Sequence, residues 1–130
     1  MAALYTLSKN ERLSSRILID KIFKREGKLI SKFPLSFIFL EHLIKEPVQA
    51  QVLFSVPAKK VKKAHDRNRI KRQMREIYRL HKPEIYKAIS SIEGRQYVCC
   101  LMFNQSDAIG YEDLELKIKY VLNEFIKKIS

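Results

Sequence analysis

The chain has 130 residues, 46% apolar and 31% charged, and its 26 Lys and Arg against 14 Asp and Glu leave a net charge of +12. That is one domain's length with apolar content enough for its own core, and three Gly and four Pro exclude a disordered or low-complexity chain. No apolar run approaches the roughly 20 residues that cross a bilayer, and Met1-Ala2-Ala3-Leu4-Tyr5 passes into polar Ser8-Lys9-Asn10-Glu11 without a signal-peptide apolar stretch, so a cytoplasmic protein with no membrane association is expected.

In chain order, Ser14 or Ser15 can cap a helix that runs to about Arg25 and stops at Gly27. Leu18, Ile19, Ile22 and Phe23 recur at helical spacing and give it one apolar face. Pro34 opens an extended segment, Leu35-Ser36-Phe37-Ile38-Phe39-Leu40, rich in strand formers. A polar connection, Glu41 to Pro47, leads to a second strand, Val48 to Phe54, and the two are expected to pair as a hairpin. Pro57 ends that strand. Asp66, as N-cap or first-turn acid, begins a basic helix predicted to reach about Leu80, and Pro83 opens a second short helix from Glu84 to Ser90.

Glu93-Gly94 reads as a turn, and Tyr97-Val98-Cys99-Cys100-Leu101-Met102-Phe103 as a central strand covered on both faces. After Gly110 a last helix repeats Leu114, Ile118, Val121, Phe125 and Ile129 every three or four residues. The order helix, two strands, basic helix, strand, helix implies one α+β domain over residues 1–130, with helices packed on a small sheet.

The charge is not spread evenly. Lys59 to Lys82 holds eleven basic residues against Asp66 and Glu76, which is 11 − 2 = +9 of the total +12. At 100° per residue, Ile70, Met74, Ile77 and His81 fall in one narrow arc with Tyr78 beside them, while Asn68, Arg72, Arg75 and Arg79 fall opposite. Guanidinium forks match phosphate oxygens, and an amide can donate to phosphate or read a base edge. Lys59, Lys60, Lys62 and Lys63 extend the positive surface ahead of the helix. A merely solvated face usually mixes signs at i+4 spacing. Here the acids are almost missing, so a nucleic acid is the expected partner. Strands flank the basic helix, which excludes a helix-turn-helix and favours single-stranded RNA over a DNA groove.

No catalytic constellation is visible. His42, His65 and His81 sit on different predicted elements without ligand spacing, so no protein metal site is expected. Cys99 and Cys100 are adjacent on a strand and point to opposite faces, which reads as two buried, reduced thiols. Glu112-Asp113 complements a helix N-terminus. There is no glycine-rich phosphate loop.

The run Arg67-Asn68-Arg69-Ile70-Lys71-Arg72 resembles the R-N-R-x-K-R signature of bacterial ribonuclease P protein subunits. The likeness extends to Ser55-Val56-Pro57 before Lys59-Lys60, to Ala64 and Met74-Arg75-Glu76, and to Arg12-Leu13 and Ile22-Phe23-Lys24 ahead of a Gly. The resemblance implies a four-stranded sheet packed with helices, a ribosomal-protein-like two-layer sandwich with a left-handed strand-helix-strand crossover, against the general rule of handedness. It implies the protein component of an endoribonuclease that matures the 5′ end of tRNA. The catalytic RNA subunit does the chemistry with Mg²⁺ held by that RNA and the substrate, and the protein alone is inactive.

By the same resemblance, Arg67, Asn68, Arg69, Lys71, Arg72 and Arg75 contact RNA, and the charge pattern adds Lys59, Lys60, Lys63 and Arg79 to the expected RNA-binding set. A cleft between the basic helix and the sheet would hold the single-stranded leader of precursor tRNA, lined by Ile19 and Phe23 and by Phe37 or Phe39 of the first strand. A monomer bound one-to-one to the RNA is implied. The chain departs from the family pattern at Lys62, often Gly, and at Ile19, often aromatic. The alternatives are a ribosomal or other structural RNA-binding protein, then a DNA-binding regulator.

Overall fold

A computed structural model describes residues 7–91 and 94–129; Met1 to Tyr5 and Glu93 of the expectations above lie outside the described residues. A single 3-10 turn, Lys9–Glu11, precedes α1 (Arg16–Lys21), which continues as a π-helical turn, Ile22–Glu26. Then follow β1 (Lys28–Lys32), β2 (Leu35–Glu41), β3 (Ala50–Ser55), α2 (Ala64–Ser90), β4 (Tyr97–Phe103) and α3 (Tyr111–Ile129). Ser15 is the cap of α1, its Oγ accepting from the Leu18 N–H at 3.3 Å. Gly27 is required where the chain turns into β1, because a Cβ there would stand 2.7 Å from Ile38 Cγ2.

The four strands form one mixed sheet in the order β1-β2-β4-β3. The expected hairpin between β2 and β3 does not exist. β2 pairs antiparallel with β1 and with β4, and β3 lies beyond β4, parallel to it. The apolar run of β4 takes the central place because it alone can be buried on both faces, as its burial pattern shows. A parallel neighbour needs a long crossover, which α2 supplies. β1 went unread in the sequence because only Ile30 of its five residues is buried. A lysine-bearing edge strand looks like a polar linker.

The second short helix at Pro83 is also overturned: α2 is one helix of 27 residues with Pro83 inside it. Ile77 and Tyr78 before the proline and Ile85 and Ile89 after it are buried along the same helix. That continuous burial offsets the lost N–H, which propensity alone would not. The helix begins at Ala64, so Asp66 is a first-turn acid and not the cap.

The sheet buries both faces. On one, α2 and α3 close over Phe37, Phe39, Phe54 and Tyr97, with the Phe125 ring of α3 4.8 Å from Phe39, 5.1 Å from Phe37 and 5.4 Å from Tyr97. On the other, Leu18, Ile19 and Ile22 pack on Val98, Cys100, Ile38 and Leu53. Cys99 and Cys100 therefore face opposite cores. Burial pushes both thiols up, Cys100 to about 12. We expect neither to react with an aqueous thiol reagent at pH 8 until the protein unfolds, and rapid labelling of the native chain would refute this burial.

Candidate nucleic-acid interface

α2 presents its polar side as its composition demands. Ile70, Met74, Ile77 and Tyr78 are buried against the sheet, while Asn68, Arg69 and Arg72 are exposed and Arg75 and Arg79 half-buried. The loop ahead of it is held firmly. Val61 is buried, the N–H groups of Lys60 and Val61 donate to the Pro57 carbonyl at 3.1 Å, and Arg67 Nη1 donates to the carbonyls of Val61 at 2.9 Å and Lys62 at 2.8 Å. Arg67 thus braces the loop, and Lys59, Lys60, Lys62 and Lys63 stand exposed around it.

The cations are not equally available. Arg79 grips Glu76 with two hydrogen bonds, 2.6 and 3.2 Å, and Arg69 lies 4.0 Å from Asp66. The Arg75 guanidinium stands over the Phe54 ring at 6.0 Å, which fixes its direction without neutralising it. Lys71 and Arg72 have no ion pair among the described residues. The centre of the positive face is therefore Asn68, Lys71, Arg72 and Arg75, with Arg79 a paired margin.

Lys82 does not belong to this surface. It is 5% exposed, and its Nζ lies 2.9 Å from Oε2 of Glu11, itself 5% exposed. Tyr86 donates to the same carboxylate, and the Ser8 N–H donates to it at 2.8 Å. Burial alone pushes the Glu11 carboxyl up, but the bonds from Tyr86, Ser8 and Lys82 together outweigh it and hold the carboxyl below its usual range. The pair ties the segment before α1 to α2, and its separation of 71 residues leaves no local pattern by which a sequence could reveal it.

The leader-cleft residues separate. Phe37 and Phe39, 1% and 4% exposed, are core residues under Phe125 and present no ring face on which a base could stack. Two residues apart on β2, they share one sheet face, and that is the face α3 covers. A cleft between α2 and the sheet is likewise absent, since Ile70, Met74 and Ile77 fill that space. Ile19 and Phe23 lie on the opposite side. Ile19 is half-buried on the second core, and Phe23 is 44% exposed. On the same sheet face as α1 the register sets Ser31, Ser36, Met102 and Ser55 in one row across all four strands, exposed at Ser31 and half-buried at the other three. This open row of hydroxyls and a thioether was invisible before the strand order was known.

His65 is exposed in the first turn of α2, and His81 Nε2 is buried without a hydrogen-bond partner among the described residues. Among the described residues no three His, Cys, Asp or Glu come together as metal ligands.

Residues 7–125 match the family model described as Ribonuclease P. The chain is 29% identical over 127 residues to the ribonuclease P protein component of Chlorobaculum tepidum, covering 92% of this chain and 82% of that one. It is 39% identical over 80 residues to the corresponding Porphyromonas gingivalis protein, covering 62% of this chain and 58% of that one. In fold it is similar to the Staphylococcus aureus RNase P protein, with a TM-score of 0.70 at 20% identity and coverage of 89% and 95%.

Proposed function

The chain belongs to the ribonuclease P protein family, and from that membership we propose that it acts as the protein component of a ribonucleoprotein that removes the 5′ leader of precursor tRNA. The observation that carries this reading is the face of Asn68, Lys71, Arg72 and Arg75 on a helix whose other side is locked in the core. Such a face neutralises phosphates at a fixed position and reduces repulsion between two RNAs. Nothing in the chain is assigned to bond cleavage, which falls to the RNA subunit. The Mg²⁺ that serves the cleavage is held by that RNA and the substrate. The assembly is one protein to one RNA. It works in the cytoplasm, where precursor tRNA is processed.

The leader belongs on the α1 side of the sheet, along the row Ser31, Ser36, Met102 and Ser55 beside Phe23. Hydroxyls there can serve sugar and phosphate, and Phe23 offers a ring to one unpaired base. Phe23→Ala is expected to weaken precursor tRNA binding by about 1–3 kcal/mol. Its unfolding free energy should move by only about 0.5 kcal/mol, because the ring is nearly half exposed. Equal loss for precursor and mature tRNA would take Phe23 out of leader binding.

The reading is tested by sequencing RNA that co-purifies with the tagged protein, then measuring cleavage of precursor tRNA by that RNA at low Mg²⁺. One stable RNA, with cleavage stimulated by the protein and lost for leaderless substrate, is expected. Recovery of ribosomal RNA, or no stimulation, would overturn it.

A further inference from the structure

α2 and α3 sit towards opposite edges of the sheet, α2 against β3 and α3 against β1. The β1 edge carries a second cationic surface that the α2 face does not explain. Lys28 and Lys32 lie on the same side of β1 as Ile30, the side that meets α3. Lys32 Nζ stands 4.9 Å from the centroid of the exposed Tyr120 ring of α3. Four residues back along the strand, Lys28 shares a pocket of about 350 Å³ with Lys128 and Arg95, floored by Phe39, Tyr97 and Ile129. The two carboxylates of that pocket are engaged, Glu41 with Arg95 at 3.6 Å and Glu26 with Lys21 at 3.8 Å. Lys28, Lys32 and Lys128 have no carboxylate partner among the described residues.

Lysines on an edge strand guard against strand addition, and a cation suits the last turn of a helix. Neither reason accounts for the aromatic rings left in water among them. Phe33, directly after Lys32, is 72% exposed and Tyr120 45%. A guarded edge would shed apolar surface. Cations interleaved with exposed rings are what a single-stranded nucleic acid needs, charge for its phosphates and a flat face for its bases.

We propose that the β1–α3 edge is a second RNA-contact surface, where Lys28, Lys32 and Lys128 hold phosphates of an unpaired stretch and Tyr120 stacks one base. It rests on the reading above, that the protein works inside a ribonucleoprotein, and adds a contact on the side away from α2. The protein then joins two separate RNA segments across its sheet.

The test uses the holoenzyme reconstituted with its catalytic RNA. Because both native cysteines are buried, a hydroxyl-radical-generating iron chelate can be tethered to Leu116→Cys, one helical turn from Tyr120, and separately to Ala64→Cys at the start of α2. Cuts from position 116 in a single-stranded segment distinct from those made from position 64 are the expected result. Cuts from 64 with none from 116 overturn the second surface and leave the ribonucleoprotein reading standing; no cuts from either overturn both. The combined variant Lys28→Ala, Lys32→Ala, Lys128→Ala should retain its melting temperature. Its slope of log affinity against log salt for the catalytic RNA should fall by about 2, at roughly 0.7 per single-stranded phosphate contact. An unchanged slope removes these lysines from RNA binding.

Discussion

Lys82→Ala lowers the free energy of unfolding by about 3–5 kcal/mol, the cost of leaving one member of a buried ion pair without its partner. Glu11 would keep its bonds from Tyr86 and Ser8 but lose the one cation among the described residues that pairs with it. The pH dependence gives a second signature. The folded carboxyl of Glu11 is held below its ordinary range, so its stabilising contribution is present above the unfolded carboxylate range, about pH 4–5, and is lost as pH falls through the folded value. In Lys82→Ala burial is less opposed, so acid weakens the variant less than the wild type. Paired replacement by Glu11→Leu and Lys82→Met should be neutral or more stable by about 1–4 kcal/mol, since apolar groups of similar volume need no desolvation of charge. Urea unfolding at pH 7 and pH 4 measures all three, and a wild-type midpoint for Lys82→Ala at pH 7 would refute the role of the pair.

Reversing two charges on the α2 face, Lys71→Glu with Arg72→Glu, is expected to cost about 3–6 kcal/mol of RNA affinity. Each charge-assisted contact is worth roughly 1.5–3 kcal/mol, and the sum corresponds to about 10²–10⁴-fold in Kd. Neither side chain makes an ion pair among the described residues, so folding should be nearly untouched. Arg79→Glu should cost less, because Arg79 already spends its fork on Glu76. Filter binding at several salt concentrations decides it: affinity equal to wild type for the double variant would leave α2 as a solvated face.

What could be read from the residues divides along periodicity. The amphipathic helices were legible because Ile70, Met74 and Ile77 in α2, and Leu114, Ile118 and Phe125 in α3, repeat at 3.6 and bury as that period requires. The central strand was legible because β4 is apolar at every position. Strand partners were not, since pairing depends on which apolar run wins the middle of the sheet. The same ignorance sent Phe37 and Phe39 to a binding surface when they form the floor under Phe125. Pro83 misled because a local rule about prolines yields to apolar packing on both sides of it. Among the basic residues, the segment and its motif were plain, but Lys82, buried beside a carboxylate 71 residues away, could only be found in three dimensions.

The strand order also bears on how the protein comes off the ribosome. β2, paired with β1, has no ladder with β3, and the β4 that joins them is made only after all of α2. A nascent chain ending before Tyr97 holds its most cationic stretch in the open with no sheet to rest on, so productive folding is deferred until Phe103 has emerged. Arrest of translation ahead of that point should yield a protease-sensitive, polyanion-sticky fragment, whereas emergence of β4 supplies the keystone on which the other three strands close and the floor on which α3 then docks.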